Sequence, residues 1–129
     1  MFDSLKMGKK GEDVAVCYLE SRGYKILGRN YRIRYGEIDI IAEKGDCIVF
    51  VEVKTRRAGT PFIAAEAVDT IKQKKIIKTA MMYLSQTGAG LQPRFDVIAV
   101  LFDKKLGRCD YTVDHIENAF EGVDFFETF

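Results

Sequence analysis

Histidine is almost missing: His115 is the only one, and it lies in an acidic C-terminal stretch. Mechanisms built on Ser-His or Cys-His pairs therefore have one candidate base at most. The three cysteines, Cys17, Cys47 and Cys109, are widely spaced and include no C-x-x-C pair. That spacing argues against a zinc site or a disulfide framework, and makes a reducing cytoplasm the expected location. No run approaches the ~18 apolar residues of a membrane span, so no membrane role is expected. The start of the chain lacks the charged-then-apolar pattern of an export signal. Repeats and linker-like segments are also missing. What is there suits one ordinary domain, residues 1–129, with a hydrophobic content of 47%, enough for a real core.

The net charge of +1 points to no partner, but its distribution is uneven. Gly36–Val53 holds five acids and one lysine, between two basic segments, Met1–Tyr35 and Lys54–Lys78. Cys109–Phe129 holds six acids and no lysine or arginine. An acidic centre flanked by basic segments is what a metal site facing a phosphate backbone requires.

That acidic centre reads as a β-hairpin. In Glu37–Ala42 the acids Glu37 and Asp39 alternate with Ile38 and Ile40. In Ile48–Lys54, Val49, Val51 and Val53 take one face, while Ile48, Phe50, Glu52 and Lys54 take the other. Lys44-Gly45-Asp46 supplies the turn. An even loop, Lys44-Gly45 or Glu43–Asp46, pairs Asp39 with Phe50 and Glu37 with Glu52. Asp39 and Glu52 then lie on one diagonal of one face, roughly 7–8 Å apart at the backbone. An odd loop puts them on opposite faces. Acids gathered on one face repel each other and call for a cation. Oxygen-only ligands suit Mg²⁺ or Mn²⁺ better than Zn²⁺. Lys54, two residues after Glu52, points the same way and is placed to offset charge on a phosphate or to orient water. The alternative is a solvated hairpin face, where Glu and Lys are common.

Gly11-Glu12, Gly36-Glu37-Ile38-Asp39, Phe50-Val51-Glu52-Val53-Lys54 and Lys72-Gln73-Lys74-Lys75 resemble the YraN-type family of small bacterial proteins. The resemblance runs from about Gly8 to Val100. Asp39 followed by Glu52-Val53-Lys54 also looks like the signature of the PD-(D/E)xK nuclease superfamily, although Ile38 stands where its name places a proline. The YraN-type family is similar to archaeal Holliday-junction resolvases. The resemblance implies a restriction-endonuclease-like fold. It implies Asp39 and Glu52 as metal ligands, Lys54 as the catalytic lysine, and Glu12 as a further acid from the first helix. It also implies Lys72 and Gln73 close to the site. Position alone makes Glu12 an ordinary helix acid leaning toward the core, on the face of Ala15, Val16 and Leu19.

The remaining chain falls into place around the hairpin. Asp3 or Ser4 caps a first helix that Gly23 ends. Gly8 and Gly11 weaken its start or let a phosphate approach. Tyr24–Tyr35 is a strand broken at Gly28-Arg29-Asn30. Its Arg32 and Arg34 are candidate phosphate contacts and Tyr31 or Tyr35 candidate base stackers, although a core-facing tyrosine row suits the alternation better. Arg56–Pro61 is a loop whose Arg56 and Arg57 are candidate substrate contacts. Phe62–Val68 is ambiguous, with a short helix one option. Asp69 or Thr70 caps a clear helix to about Ser85, with Ile77, Ala80, Met81 and Leu84 as its apolar stripe and both methionines in the core. Lys72, Lys75 and Lys78 lie on another side; Lys72, Gln73 and Lys75 join the candidate DNA contacts, against a solvated lysine face. Phe95–Phe102 is a central buried strand, interrupted by Asp96, which pairs with Arg94 or a lysine or else sits at the mouth of the site. Asp103–Arg108 is a turn, Cys109–Val113 an edge strand and Ile116–Phe120 a short helix. The phenylalanines of Val123–Phe129 offer a partner or homodimer surface, or pack on the same domain.

The order of elements, with a strand-helix-strand crossover after the hairpin, predicts a three-layer α/β domain: an antiparallel meander, a parallel fourth strand, and flanking helices. The expected function is Mg²⁺- or Mn²⁺-dependent hydrolysis of DNA, duplex or branched. A non-catalytic nucleic-acid-binding module and a protein-interaction subunit are the competing classes.

Overall fold

The computed structural model describes residues 4–57, 69–87, 90–105 and 108–120. Two helices and five strands follow in the order α1 (Ser4–Ser21), β1 (Lys25–Ile33), β2 (Gly36–Lys44), β3 (Cys47–Arg57), α2 (Thr70–Thr87), β4 (Gln92–Lys105) and β5 (Arg108–Phe120). The strands form one sheet in sequence order, β1-β2-β3-β4-β5. Only β3 and β4 run parallel; the other neighbours are antiparallel. The α2 crossover explains this, since parallel neighbours need a connection long enough to return to the same end of the sheet. The expected three-layer α/β architecture is present, and neither described helix is long and apolar enough to cross a membrane.

The alternation of β3 builds both cores. Ile48 and Phe50 pack with Ile76, Ile77 and Ala80 of α2, and with Phe95 and Val97 of β4. Val49 and Val51 pack with Ala15 and Leu19 of α1, and with Ile98 and Val100 of β4. With apolar residues on both faces, the centre of the sheet is buried twice over, as parallel pairs usually are. The helices stop where their chemistry says they should. Gly23 (φ 87°) closes α1 in the left-handed conformation, and Tyr24 N–H reaches back to Leu19 O. Asp69 caps α2, its Oδ1 accepting from Lys72 N–H at 2.8 Å.

Several local expectations need correction. The hairpin loop is even, but it is Gly45-Asp46, with Lys44 paired to Cys47. Gly45 takes φ 59°, so the positive-φ position of the tight turn selects the glycine and moves each partner by two residues, Ile40 meeting Val51 in place of Val49. The Gly28-Arg29-Asn30 break is a bulge inside a continuous β1, with a register shift between Ile26 and Gly28 and Asn30 at φ 52°. Arg56 and Arg57 are the last residues of β3, not loop residues. Cys109–Val113 and the supposed helix Ile116–Phe120 are one strand, β5. There Val97 pairs with Ile116 and Phe95 with Phe120, so extra residues bulge out around Asn118 (φ 53°). A bulge brings Ile116 and Phe120, four apart, against neighbouring partners, and so imitates helical spacing. β4 and β5 also pair through Lys105 and Arg108, which shortens the turn expected at Asp103–Arg108. Met82 is exposed rather than in the core. Gly11 lies inside α1, where a Cβ would stand 2.0 Å from Thr55 Oγ1. It is the seat of the helix on β3, not a phosphate approach. Phe62–Val68, Asp3 and Val123–Phe129 lie outside the described residues.

Candidate metal and phosphate cleft

The pairing of β2 with β3 ends at Ile40–Val51, one residue short of Asp39 on β2 and of Glu52 on β3. The strands part here. Asp39 Oδ2 accepts from the backbone N–H of Val53 at 2.8 Å, standing in for the missing rung of the ladder. Strict alternation also lapses at this point, because Ile38 and Ile41, three apart, belong to the same core. Asp39 and Glu52 nevertheless reach the same cleft, and the charge of Glu52 is felt at Asp39.

They open into a cleft of about 390 Å³ between the sheet and the start of α2. Glu37, Asp39 and Glu52 line one wall, and Asp69, Ile71, Lys72 and Lys75 the other. Gly36 lets α2 come this close, since a Cβ there would stand 2.8 Å from Thr79 Oγ1. Glu52 is buried, with 7% of its side chain exposed, and its Oε1 meets two ammonium groups: Lys54 Nζ at 3.5 Å and Lys72 Nζ in a tight ion pair.

The electrostatics are strained in the way functional carboxylates often are. Burial pushes the Asp39 carboxyl up to about 7, helped by the charges of Glu52, Glu12 and Glu37 and opposed by the Val53 N–H. Burial also raises Glu12, against a hydrogen bond to Asn30 and the charge of Arg29. Lys54 is pushed down by burial and by Lys72, while Glu52 resists the shift. Burial works against the Lys72 charge as well, but its hydrogen bond to Glu52 holds it above the ordinary lysine value.

Asp39, Glu52, Lys54, Lys72 and Lys75 are therefore brought together, and Glu37 joins them. Glu12 stands near enough to be felt by Asp39, but it is drawn toward Arg29, 3.9 Å away. Arg32 pairs with Glu37 at 3.2 Å on the outer side, so it lies beside the cleft. Arg34 is exposed after the end of β1. Gln73 is half-buried, with its N–H bonded to Asp69 O. Arg56 is half-buried, its Nη1 donating to Thr55 O, and Arg57 is exposed. Tyr31 follows the core reading: it packs edge-on against Tyr83 and donates to Gln86. Tyr35 is exposed, with Lys78 Nζ 4.3 Å from its ring centre.

The donor chemistry suits a hard divalent ion: two carboxylates in one cleft, of which Asp39 is largely desolvated and raised by the neighbouring acids. Among the described residues no three acidic, histidine or cysteine side chains converge closely enough to hold a metal ion. Lys54 and Lys72 hold Glu52, Val53 holds Asp39, and Arg29 holds Glu12 away.

Sequence reasoning missed a second polar cluster, on the α1 side of the sheet. Arg94 grips Asp96 with two hydrogen bonds, Nε to Oδ1 at 2.9 Å and Nη2 to Oδ2 at 2.8 Å. His115 Nε2 lies 2.7 Å from Asp96 Oδ2, and Asn118 N–H donates to Oδ1. Tyr24 and Tyr18 continue the network to Arg94 and His115. Arg94 was foreseen as a partner for Asp96, but no local signal joins Asp96 to His115, nineteen residues on. Their meeting depends on how β4 and β5 pair.

The profile of UPF0102, an uncharacterised protein family, matches residues 11–100. A UPF0102 protein of Geobacter metallireducens is 47% identical over 116 residues, which span 89% of this chain and 92% of the relative. One of Alkaliphilus oremlandii is 49% identical over 119 residues, spanning 89% and 97%. One of Dictyoglomus thermophilum is 43% identical over 116 residues, spanning 89% and 97%. With that span, running from α1 through β4 and across every residue of the cleft, the chain belongs to the UPF0102 family.

Proposed function

We propose that this protein is a Mg²⁺- or Mn²⁺-dependent endonuclease-like hydrolase of DNA phosphodiester bonds, acting on duplex or branched, junction-like DNA. The observation that carries this reading is that Asp39 and Glu52 line one cleft, with two lysines at the buried acid. Asp39 and Glu52 would hold the ion, with Glu12 and Glu37 as the nearest further acids. Held by these acids, such an ion would supply Lewis-acid chemistry toward a phosphate and a water. Lys54 would offset negative charge on the phosphate or orient the attacking water. Lys75 and Arg32, beside the acids, meet the phosphate backbone. Arg34, Arg56, Arg57 and Gln73 extend that contact.

The test is incubation of the protein with junction, duplex and single-stranded DNA, in Mg²⁺ or Mn²⁺ against EDTA. Cleavage should require the metal and vanish in Asp39→Ala and Glu52→Ala. Lys54→Ala should slow it by about 10²–10³-fold, the usual loss when one charge-stabilising donor is removed. A second reading, a nucleic-acid-binding module without catalysis, is favoured by one observation: Glu52 already has two ammonium partners. On that reading no DNA is cut, and Asp39→Ala leaves affinity level or raises it.

A further inference from the structure

The cleft holds more positive charge than the proposed chemistry uses. Lys54 already brings an ammonium to Glu52 from the same strand, and Lys72 brings a second to the same oxygen, Oε1. This second pair is lopsided. The Glu52 side chain is only 7% exposed, whereas that of Lys72 is 42% exposed. The backbone of Lys72 is anchored, because its N–H is the one that Asp69 caps. Its four-carbon stem is half in solvent and has room to swing, with exposed Lys75 a turn further along the same wall of the cleft. An anchored backbone with a half-solvated ammonium on a buried acid is the layout of an exchangeable counter-ion.

We infer that Lys72 is the resident counter-ion of Glu52, that it competes with the divalent ion for that carboxylate, and that once displaced its ammonium serves the phosphate backbone. This rests on the metal-site reading above. Two cations crowded on one carboxylate repel each other, so entry of the ion releases Lys72, and a phosphate that captures the released ammonium stabilises the metal-bound state. Metal and nucleic acid then strengthen each other's binding, and linkage makes the effect reciprocal.

The experiment measures Mn²⁺ affinity by electron paramagnetic resonance at low ionic strength for the full chain, K72M, K72Q and K72R. It is repeated with a cleavage-resistant duplex oligonucleotide present. Lys72 is half-exposed at the helix start, so its replacement leaves both cores untouched. K72M and K72Q should bind Mn²⁺ about three- to tenfold more tightly than wild type, the range of a partly screened charge pair. K72R, which keeps the charge, should stay near wild type. The oligonucleotide should tighten Mn²⁺ binding in wild type, and less so in K72M. Equal or weaker Mn²⁺ binding by K72M and K72Q overturns this inference alone. No Mn²⁺ binding by any of the four proteins overturns the metal reading, and this inference with it.

Discussion

Two aspartates, one on each side of the sheet, are treated in opposite ways. Asp96 is wholly buried on the α1 side and meets Arg94, His115 and Asn118 N–H. Burial alone would raise its pKa, but those hydrogen bonds hold it below the ordinary carboxylate value. Asp39, on the α2 side, has one backbone N–H, feels the charge of Glu52, and is pushed up to about 7. The fold completes one carboxylate from its own side chains and leaves the other short of positive charge. A satisfied buried network specifies structure, whereas a carboxyl raised by burial and like charge at a cleft is the kind of group found at functional sites.

The sharpest way to break this contrast is to remove each acid and compare stability by urea unfolding. Asp96→Ala should cost about 3–5 kcal/mol, because it strands Arg94 and His115 without their anion. Asp39→Asn at pH 8 should stabilise the protein by up to about 1 kcal/mol, since Asn still accepts from Val53 and no longer repels Glu52. Equal losses at both sites would erase the distinction.

A smaller effect tests the helix that serves both regions, α1, which carries Glu12 toward the acids and Tyr18 toward His115. Gly11→Ala forces a methyl against Thr55 and should cost about 1–3 kcal/mol. Thr55→Ala in the same chain should restore much of the loss.

The pH dependence separates the two aspartates without a large structural change. Between about pH 4 and about pH 7 the folded state keeps an Asp39 proton that the unfolded chain has released. Stability from this source therefore falls as pH rises through that window and is level above it. Asp96 works in the other direction: its contribution is present above about pH 4 and is lost as pH falls through its lowered folded value. Subtracting the Asp39→Asn profile from wild type should isolate the first slope. Mg²⁺ at about ten times its Kd should raise wild-type stability by about 1.4 kcal/mol and leave Asp39→Asn unmoved.

The layout of the cleft was legible to different depths. Glu52 and Lys54 on the face of Ile48 and Phe50 follow from alternation alone, and β3 bears it out. The parity of the hairpin loop was also readable, and so was the caution that register matters. Which two residues form the loop was not, because Lys44-Gly45 and Gly45-Asp46 carry similar turn chemistry until the backbone shows where positive φ falls. β5 misled for a related reason: Ile116 and Phe120 have helical spacing, and only pairing with β4 reveals the bulge. Spacing alone made Lys72 one of several helix lysines, and only the family resemblance set it close to the site. Its contact with Glu52 depends on the approach of α2 over Gly36, a distance that no local pattern encodes.

Local periodicity by itself determined both helices, the strands up to β4, the two-sided burial of β3, and the need for a long crossover into β4, but not β5 as one strand. Each follows from side chains repeating every two or 3.6 residues and from short-range turn and cap chemistry. Only the tertiary structure decided which charges meet: Asp39 with Glu52, Glu52 with Lys72, Asp96 with His115. Those meetings turn on strand register, bulges and helix seating. Each is a small shift along the chain, yet each moves a side chain to a different face or partner.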